Sequence, residues 1–139
     1  MPWIERDGAR VWWCASSNAA SAGDAVVLLM GLGCSSDLWH RVAPALAAKR
    51  RVILLDARGI GRTDVPGRLV HRIQDQAADV NAVLDAAGER AVHVVGYSMG
   101  GMVAQLMVLA QPDRVELLVL MNTHHGRIEH VDFGLIELG

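Results

Sequence analysis

Cysteine is scarce in this sequence: Cys14 and Cys34 are the only two, with no Cys-x-x-Cys pair and no histidine at ligand spacing beside them. Neither a zinc site nor a disulfide framework is expected, and the two thiols read as buried or half-buried. An excess of either charge is lacking too. Thirteen Lys and Arg stand against fifteen Asp and Glu, a formal net charge of -2, and no run of like charge forms an interaction tail. With no basic face to hold a phosphate backbone, nucleic acid is not an expected partner. Repeats, linkers and low-complexity segments are also missing. Met1 to Asp7 has no basic stretch followed by an apolar one, which argues against a secretory signal and for a cytoplasmic, reducing location.

One run without formal charge, Ala91 to Ala110, is long enough to mimic a membrane span. Its glycines, together with His93, Tyr97, Ser98 and Gln105, favour a buried strand followed by a buried helix, so no membrane association is expected. What the chain does have is apolar content. Its 139 residues are 52% hydrophobic and 20% charged, enough for the core of one globular domain.

Trp3 to Arg6 and Val11 to Ser16 flank Asp7-Gly8, a dipeptide that accepts positive φ, and the chain is read as opening with an antiparallel hairpin. Ser17 to Asp24 is small and polar, a loop. Ala25 to Met30 is a continuous apolar run of the kind buried on both faces, ending at Gly31-Leu32-Gly33. From Asp37, a candidate N-cap, Trp39, Val42 and Leu46 mark one helical face, with Pro44 bending or delaying the helix. Arg51 to Asp56 is the next buried strand, followed by a loop from Ala57 to Asp64. Ile73, Ala77, Val80, Leu84 and Ala87 form a helical stripe that stops at Gly88. Another helix ends before Pro112, Val115 to Met121 is a further buried strand, and Asn122 to Gly139 has no clear period. Strands alternating with helices from Arg51 to Met121 predict a mostly parallel sheet with helices on both faces.

The stretch that organises this pattern is Gly96-Tyr97-Ser98-Met99-Gly100-Gly101. The apolar run Ala91 to Val95 leads into it and Met102 to Ala110 leads out. Strand, sharp turn and helix around G-x-S-x-G describe a nucleophile elbow, where flanking glycines remove the Cβ atoms that would clash and the serine accepts a strained backbone. That geometry exposes the Ser98 hydroxyl above the strand ends and aims the Met99 backbone N–H at a developing oxyanion.

With these blocks in order, the sequence resembles the α/β-hydrolase superfamily, specifically its small esterase, lactonase and haloperoxidase-like members. The resemblance rests on Leu29-Met30-Gly31-Leu32-Gly33 with Ser35, Ser36 and Trp39, on Asp56-Ala57-Arg58-Gly59-Ile60-Gly61, and on the elbow. It implies an incomplete α/β-hydrolase core over residues 1–122, with 123–139 as the start of a cap region or a tail. Ser98 would be the nucleophile, and the backbone N–H groups of Leu32 and Met99 would form the oxyanion hole. Met30 stands where the family usually has His, and Asp56 is expected to be structural. No cofactor and no metal are implied.

In such enzymes the acid follows the serine and the base His comes last, beyond the reach of this sequence. Asn122 occupies a place where some members carry the acid, and an Asp-to-Asn exchange of that kind costs about 10⁴ in turnover in the serine-protease example. His124 and His125 are candidate bases that read more simply as exposed loop residues. His40 and His71 read as helix-face residues, His93 as a strand residue, and His130 and Asp132 as parts of the tail. The expected function is hydrolysis of a small ester or lactone by acyl transfer in lineage, not independently efficient in this short chain. The alternatives are a non-catalytic hydrolase segment that binds a ligand or needs a complementary half, and a Rossmann-type dinucleotide domain using Gly31 to Ser36 and Asp56. The strand Val115 to Met121 would be a long apolar sheet edge, and self-association or pairing through it is expected.

Overall fold

The computed structural model describes residues 3–17, 25–67 and 71–125. Strands β1 (Trp3–Arg6) and β2 (Ala9–Ala15) pair antiparallel across Asp7-Gly8. Asp7 and Gly8 have φ of 48° and 74°, the double left-handed conformation of a two-residue hairpin turn. Strands β3 (Val26–Leu29), β4 (Val52–Leu55), β5 (Val92–Tyr97) and β6 (Val115–Met121) complete a six-stranded sheet in the order β1-β2-β4-β3-β5-β6. The pairs β3/β4, β3/β5 and β5/β6 are parallel, whereas β2 meets β4 antiparallel.

Side chains alternate between the faces of β3. Val27 and Leu29 join Ile53, Leu55 and Val94 under helices α2 (Ile73–Ala87) and α3 (Met99–Ala110), which contribute Val80, Val83, Leu84, Val103, Ala104 and Met107. Val26 and Leu28 join Val52 on the opposite face beneath Trp39, with Ala43, Leu46 and Ala47 of the short helix α1 (Val42–Ala47) packed around them. Helices therefore cover both faces, and this is why the β3 and β4 sequences are apolar without alternation. As the stripe predicts, α2 buries Ala77, Val80 and Leu84. It ends at Gly88 with φ 75°, where the Glu89 N–H donates back to the Leu84 carbonyl at 2.9 Å.

Several details differ from the sequence reading. The helix expected from Asp37 is two pieces, a 3₁₀ turn over Ser36–Trp39 and then α1, which places Pro44 in a first turn where its missing N–H costs nothing. Ser35, not Asp37, occupies the cap position, and the Asp37 carboxylate pairs instead with Arg62 at 2.9 Å. Val42 is exposed rather than on a buried face. Strand β5 runs on through Gly96 and Tyr97, and His71 lies ahead of α2 rather than on it. The loop expected over Ser17 to Asp24 lies mostly outside the described residues, as do His130 and Asp132. Cys14 and Cys34 are both half-buried free thiols. Among the described residues no helix is long and apolar enough to cross a membrane.

Strand β6, expected to be buried, has no buried residue, because among the described residues it is the sheet edge and no neighbour covers it. Its register with β5 puts Leu117, Val119 and Met121 on the face shared by His93, Val95 and Tyr97. Those three β6 residues are 53%, 38% and 42% exposed, and Leu120 on the other face is 44% exposed.

Candidate active site

The chain turns from β5 into α3 within one residue. Ser98 has φ 53° and ψ -119°, a region that side chains other than glycine occupy at a cost of about 1–3 kcal/mol. Glycines make the turn feasible. A Cβ on Gly96 would lie 2.5 Å from the Gly100 carbonyl oxygen and 2.6 Å from Gly101 Cα, and one on Gly100 would run into the Leu29 carbonyl. The start of α3 thus packs on β5 and β3 at backbone thickness.

The strained residue is held from both sides. Its N–H donates to the Met121 carbonyl at 2.9 Å, while its own carbonyl accepts from the Gly101 N–H at 2.9 Å and from Thr123 Oγ1 at 2.6 Å. The Ser98 side chain is half-buried and does not cap α3. Its hydroxyl has no hydrogen-bond partner among the described residues.

Gly31 packs directly against this serine. A Cβ there would stand 3.2 Å from Ser98 Cβ and 3.6 Å from its Oγ, so the loop after β3 passes alongside the hydroxyl. Residues 31–34 form a turn closed by the Cys34 N–H on the Gly31 carbonyl at 3.2 Å, with Gly33 at φ 73°. Leu32 sits at its tip, 47% exposed. Met99 is the first residue of α3, where an N–H has no carbonyl one turn behind it and the helix dipole favours negative charge.

The histidines divide by place. His124 and His125 are exposed, and the stretch leading to them is tied to α3 because Gln105 Nε2 donates both to the His124 carbonyl at 2.7 Å and to the Gly101 carbonyl at 3.1 Å. No hydrogen bond joins either ring to Ser98. Asn122 directly follows Met121, the residue that accepts the Ser98 N–H, and has φ 46°. His93 sits at the start of β5, about 16 Å of extended chain from Ser98. His40 is exposed beyond the 3₁₀ turn. Thr123 and Gln105 carry no local sequence signal for these contacts, since their partners are 25 and 19 residues away.

Asp56 closes the far end of the same loop. Its Oδ1 accepts from the Ser36 N–H at 2.8 Å and Ser36 Oγ at 2.6 Å, and its Oδ2 accepts from the Arg62 N–H at 3.0 Å and Arg62 Nε at 2.8 Å. The residue is 1% exposed. Both oxygens are engaged inward, which leaves neither facing out towards a ribose hydroxyl.

Burial alone would push the Asp56 carboxyl up, but the hydrogen bonds from Arg62 and Ser36 outweigh it and hold the group below its usual value. A depressed folded-state value means that the stability Asp56 contributes is complete above the ordinary carboxylate pKa near 4 and is lost as pH falls through the lower folded value. Asp75, held low by Arg72, acts in the same direction. Thermal unfolding from pH 6 to pH 2 should show a midpoint that drops only below about pH 4. Asp56→Asn should start lower and fall less steeply; an unchanged slope would refute this assignment.

Behind the loop lies a cavity of about 30 Å³ lined by Met30, Cys34, Asp56, Gln76 and Gly100, room for a water rather than an acyl chain. Among the described residues no group of three or more His, Cys, Asp or Glu side chains could hold a metal ion.

Residues 24–135 match the family described as alpha/beta hydrolase fold. A pimeloyl-[acyl-carrier protein] methyl ester esterase of Aeromonas hydrophila is 35% identical over 97 residues, which covers 70% of this chain and 37% of that protein. A 2-hydroxy-6-oxononadienedioate/2-hydroxy-6-oxononatrienedioate hydrolase of Paraburkholderia xenovorans is 38% identical over 114 residues, covering 79% of this chain and 39% of the other. Among solved structures, Est816, titled an N-acyl homoserine lactone degrading enzyme, superposes with a TM-score of 0.80 at 29% identity, over 88% of this chain and 45% of its own. The chain thus spans roughly two fifths of the length of the curated relatives it matches.

Proposed function

We propose that this chain, which belongs to the α/β-hydrolase fold family, carries the nucleophile half of a serine hydrolase that cleaves a small ester or lactone by acyl transfer. Ser98 Oγ bonds to the substrate carbonyl carbon, and the displaced electron pair goes to the carbonyl oxygen, to which the Leu32 and Met99 N–H groups donate hydrogen bonds. The bond to the leaving oxygen then breaks, and the serine proton must reach that oxygen through a base. The observation that carries this reading is the Ser98 backbone at φ 53° and ψ -119° between β5 and α3, with Gly31 against its side chain. Relatives named as an ester esterase and a lactone-degrading enzyme support the substrate class.

Among the described residues there are a nucleophile and two donors but no base beside Ser98, and efficient turnover draws on a base outside them. An activated fluorophosphonate tests this by intact mass. The chain alone should label slowly at Ser98, and a separately produced C-terminal half from a relative should speed labelling by about 10²–10⁴, the usual contribution of a positioned general base. Ser98→Ala should not label. Equal labelling of Ser98→Ala and the parent chain would end the serine reading. No acceleration by any complementary half would end the claim that a base is missing.

The exposed β6 favours a second reading, in which the chain is non-catalytic alone and its function is to pair with such a half. Leu117, Val119, Leu120 and Met121 leave an apolar strand open at the sheet edge, a template for another strand. Light scattering should show species larger than the 15.0 kDa monomer, and Leu120→Lys should shift the population towards monomer. A monodisperse parent chain that binds no hydrophobic dye would contradict this.

A further inference from the structure

Both ends of the loop that carries Leu32 are fixed, and the two anchors differ in kind. At its start the loop leaves β3, and Gly31 lies against Ser98. At its other end Ser36 gives its N–H and its hydroxyl to a single oxygen of Asp56. That carboxylate belongs to another strand end, 20 residues on, and is itself gripped by Arg62. The Arg62 guanidinium reaches Asp56 Oδ2 through Nε, and through Nη2 it reaches Ser36 Oγ at 3.1 Å and Asp37 Oδ1 at 2.9 Å, while its plane lies 3.5 Å over the Trp12 ring. Gly61 is required here. A Cβ on it would collide with the Asp56 carboxylate and lie 3.1 Å from Ser35 Cβ. Thr63 ties the same segment down by donating to the Asp56 carbonyl at 2.7 Å and accepting from the Trp12 N–H at 3.0 Å. Two loops and strand β2 thus converge on one carboxylate.

We propose that Asp56 is a positioning residue for the Ser98 site: by holding Ser36 it fixes the loop whose Leu32 N–H receives the oxyanion, with Arg62 keeping the carboxylate in register. This rests on the acyl-transfer reading of Ser98. Five hydrogen bonds to one buried carboxylate, two from Ser36 and three from Arg62, hold the loop in one arrangement, and a donor placed in advance is what makes an oxyanion hole effective. Asparagine at position 56 keeps the shape but can accept through one oxygen only, so either the two Ser36 donors or the Arg62 N–H and Nε lose their acceptor.

Two measurements on the intact chain test the proposal. The first is amide hydrogen exchange at Leu32 and Gly33, with Val94 and Val95 as internal standards. The second is affinity for butylboronic acid by boron NMR, in which the Ser98 oxygen adds to boron, its proton passes to buffer, and the tetrahedral anion presents an oxygen to the hole. In Asp56→Asn, loop exchange should rise and boronate affinity fall, each by about tenfold, as expected for one lost charged hydrogen bond, with the β5 amides unchanged. Ser36→Ala, which removes one donor and leaves the carboxylate with Arg62, should move both readouts in the same direction and covers the case in which Asp56→Asn does not fold. Faster loop exchange with unaltered affinity overturns the proposal, as does no change in either. A parent chain that binds no boronate is a different failure: it overturns the acyl-transfer reading, and the positioning role falls with it.

Discussion

Asp79→Ala is expected to destabilise the fold by about 3–5 kcal/mol, the cost of leaving a buried charge without its partner. The Arg58 side chain is 0% exposed and that of Asp79 3%. Arg58 Nε reaches Asp79 Oδ2 at 2.6 Å and its Nη2 reaches Oδ1 at 2.9 Å, a two-pronged pairing, and Arg6 Nη1 joins Oδ1 at 2.9 Å. Arg58 Nη2 also donates to the Arg6 carbonyl at 3.2 Å. The hairpin, the loop after β4 and α2 are thus pinned at one carboxylate. Removing it leaves the buried guanidinium with only one carboxylate partner among the described residues, that of Asp7, 3.8 Å away and itself largely exposed. Against a total of about 5–15 kcal/mol for a domain, that loss should be plain in urea titration. The paired change Arg58→Met with Asp79→Leu should recover most of it, because an apolar pair of similar volume has no charge to desolvate. A loss under about 1 kcal/mol for the single change would mean that water reaches Arg58.

Gly96→Ala should cost about 3 kcal/mol, at the upper end for overpacking, and should lower fluorophosphonate labelling of Ser98 by about 10². The new methyl carbon would sit 2.5–2.7 Å from backbone atoms of Gly100 and Gly101. Backbone cannot swing aside as a side-chain tip can. To make room, the first turn of α3 must lift from β5, and it carries the Met99 N–H with it. Stability and reactivity are therefore expected to fall together, whereas Ser98→Ala removes labelling without the clash. Denaturation and labelling measured on the same samples distinguish the two effects. Full labelling in a folded Gly96→Ala protein would show that the turn has slack.

The hairpin, the buried strands β3 and β4, the α2 stripe with its Gly88 stop and the Gly96 to Gly101 turn are legible in the chain because each is a local pattern, whereas the burial expected for β6 is not, since it depends on a neighbouring strand. Asp7-Gly8 needs only positive φ, the stripe needs only a 3.6-residue period, and Ser98 between glycines needs only the backbone cost of its bend. The boundaries were less legible. Gly96 and Tyr97 extend β5 because β6 supplies ladder partners in Leu120 and Met121, a long-range gain that outweighs glycine's weak strand preference. The split of the helix expected from Asp37 has the same origin, since Asp37 is drawn to Arg62 rather than to a helix cap.

The sequence by itself determined that residue 98 is a serine on a bend only glycines permit, within alternating strands and helices, because those outcomes depend on neighbours a few residues apart. Tertiary structure alone decided that Asp56 grips Ser36 and Arg62 instead of facing a ligand, that Asp79 gathers Arg6 and Arg58, and that Thr123 and Gln105 secure the far side of the turn. Those partners lie up to 73 residues apart. A charged or polar side chain reads the same in sequence whether it meets water or a buried counterpart, and only the folded chain, which removes the water, settles which.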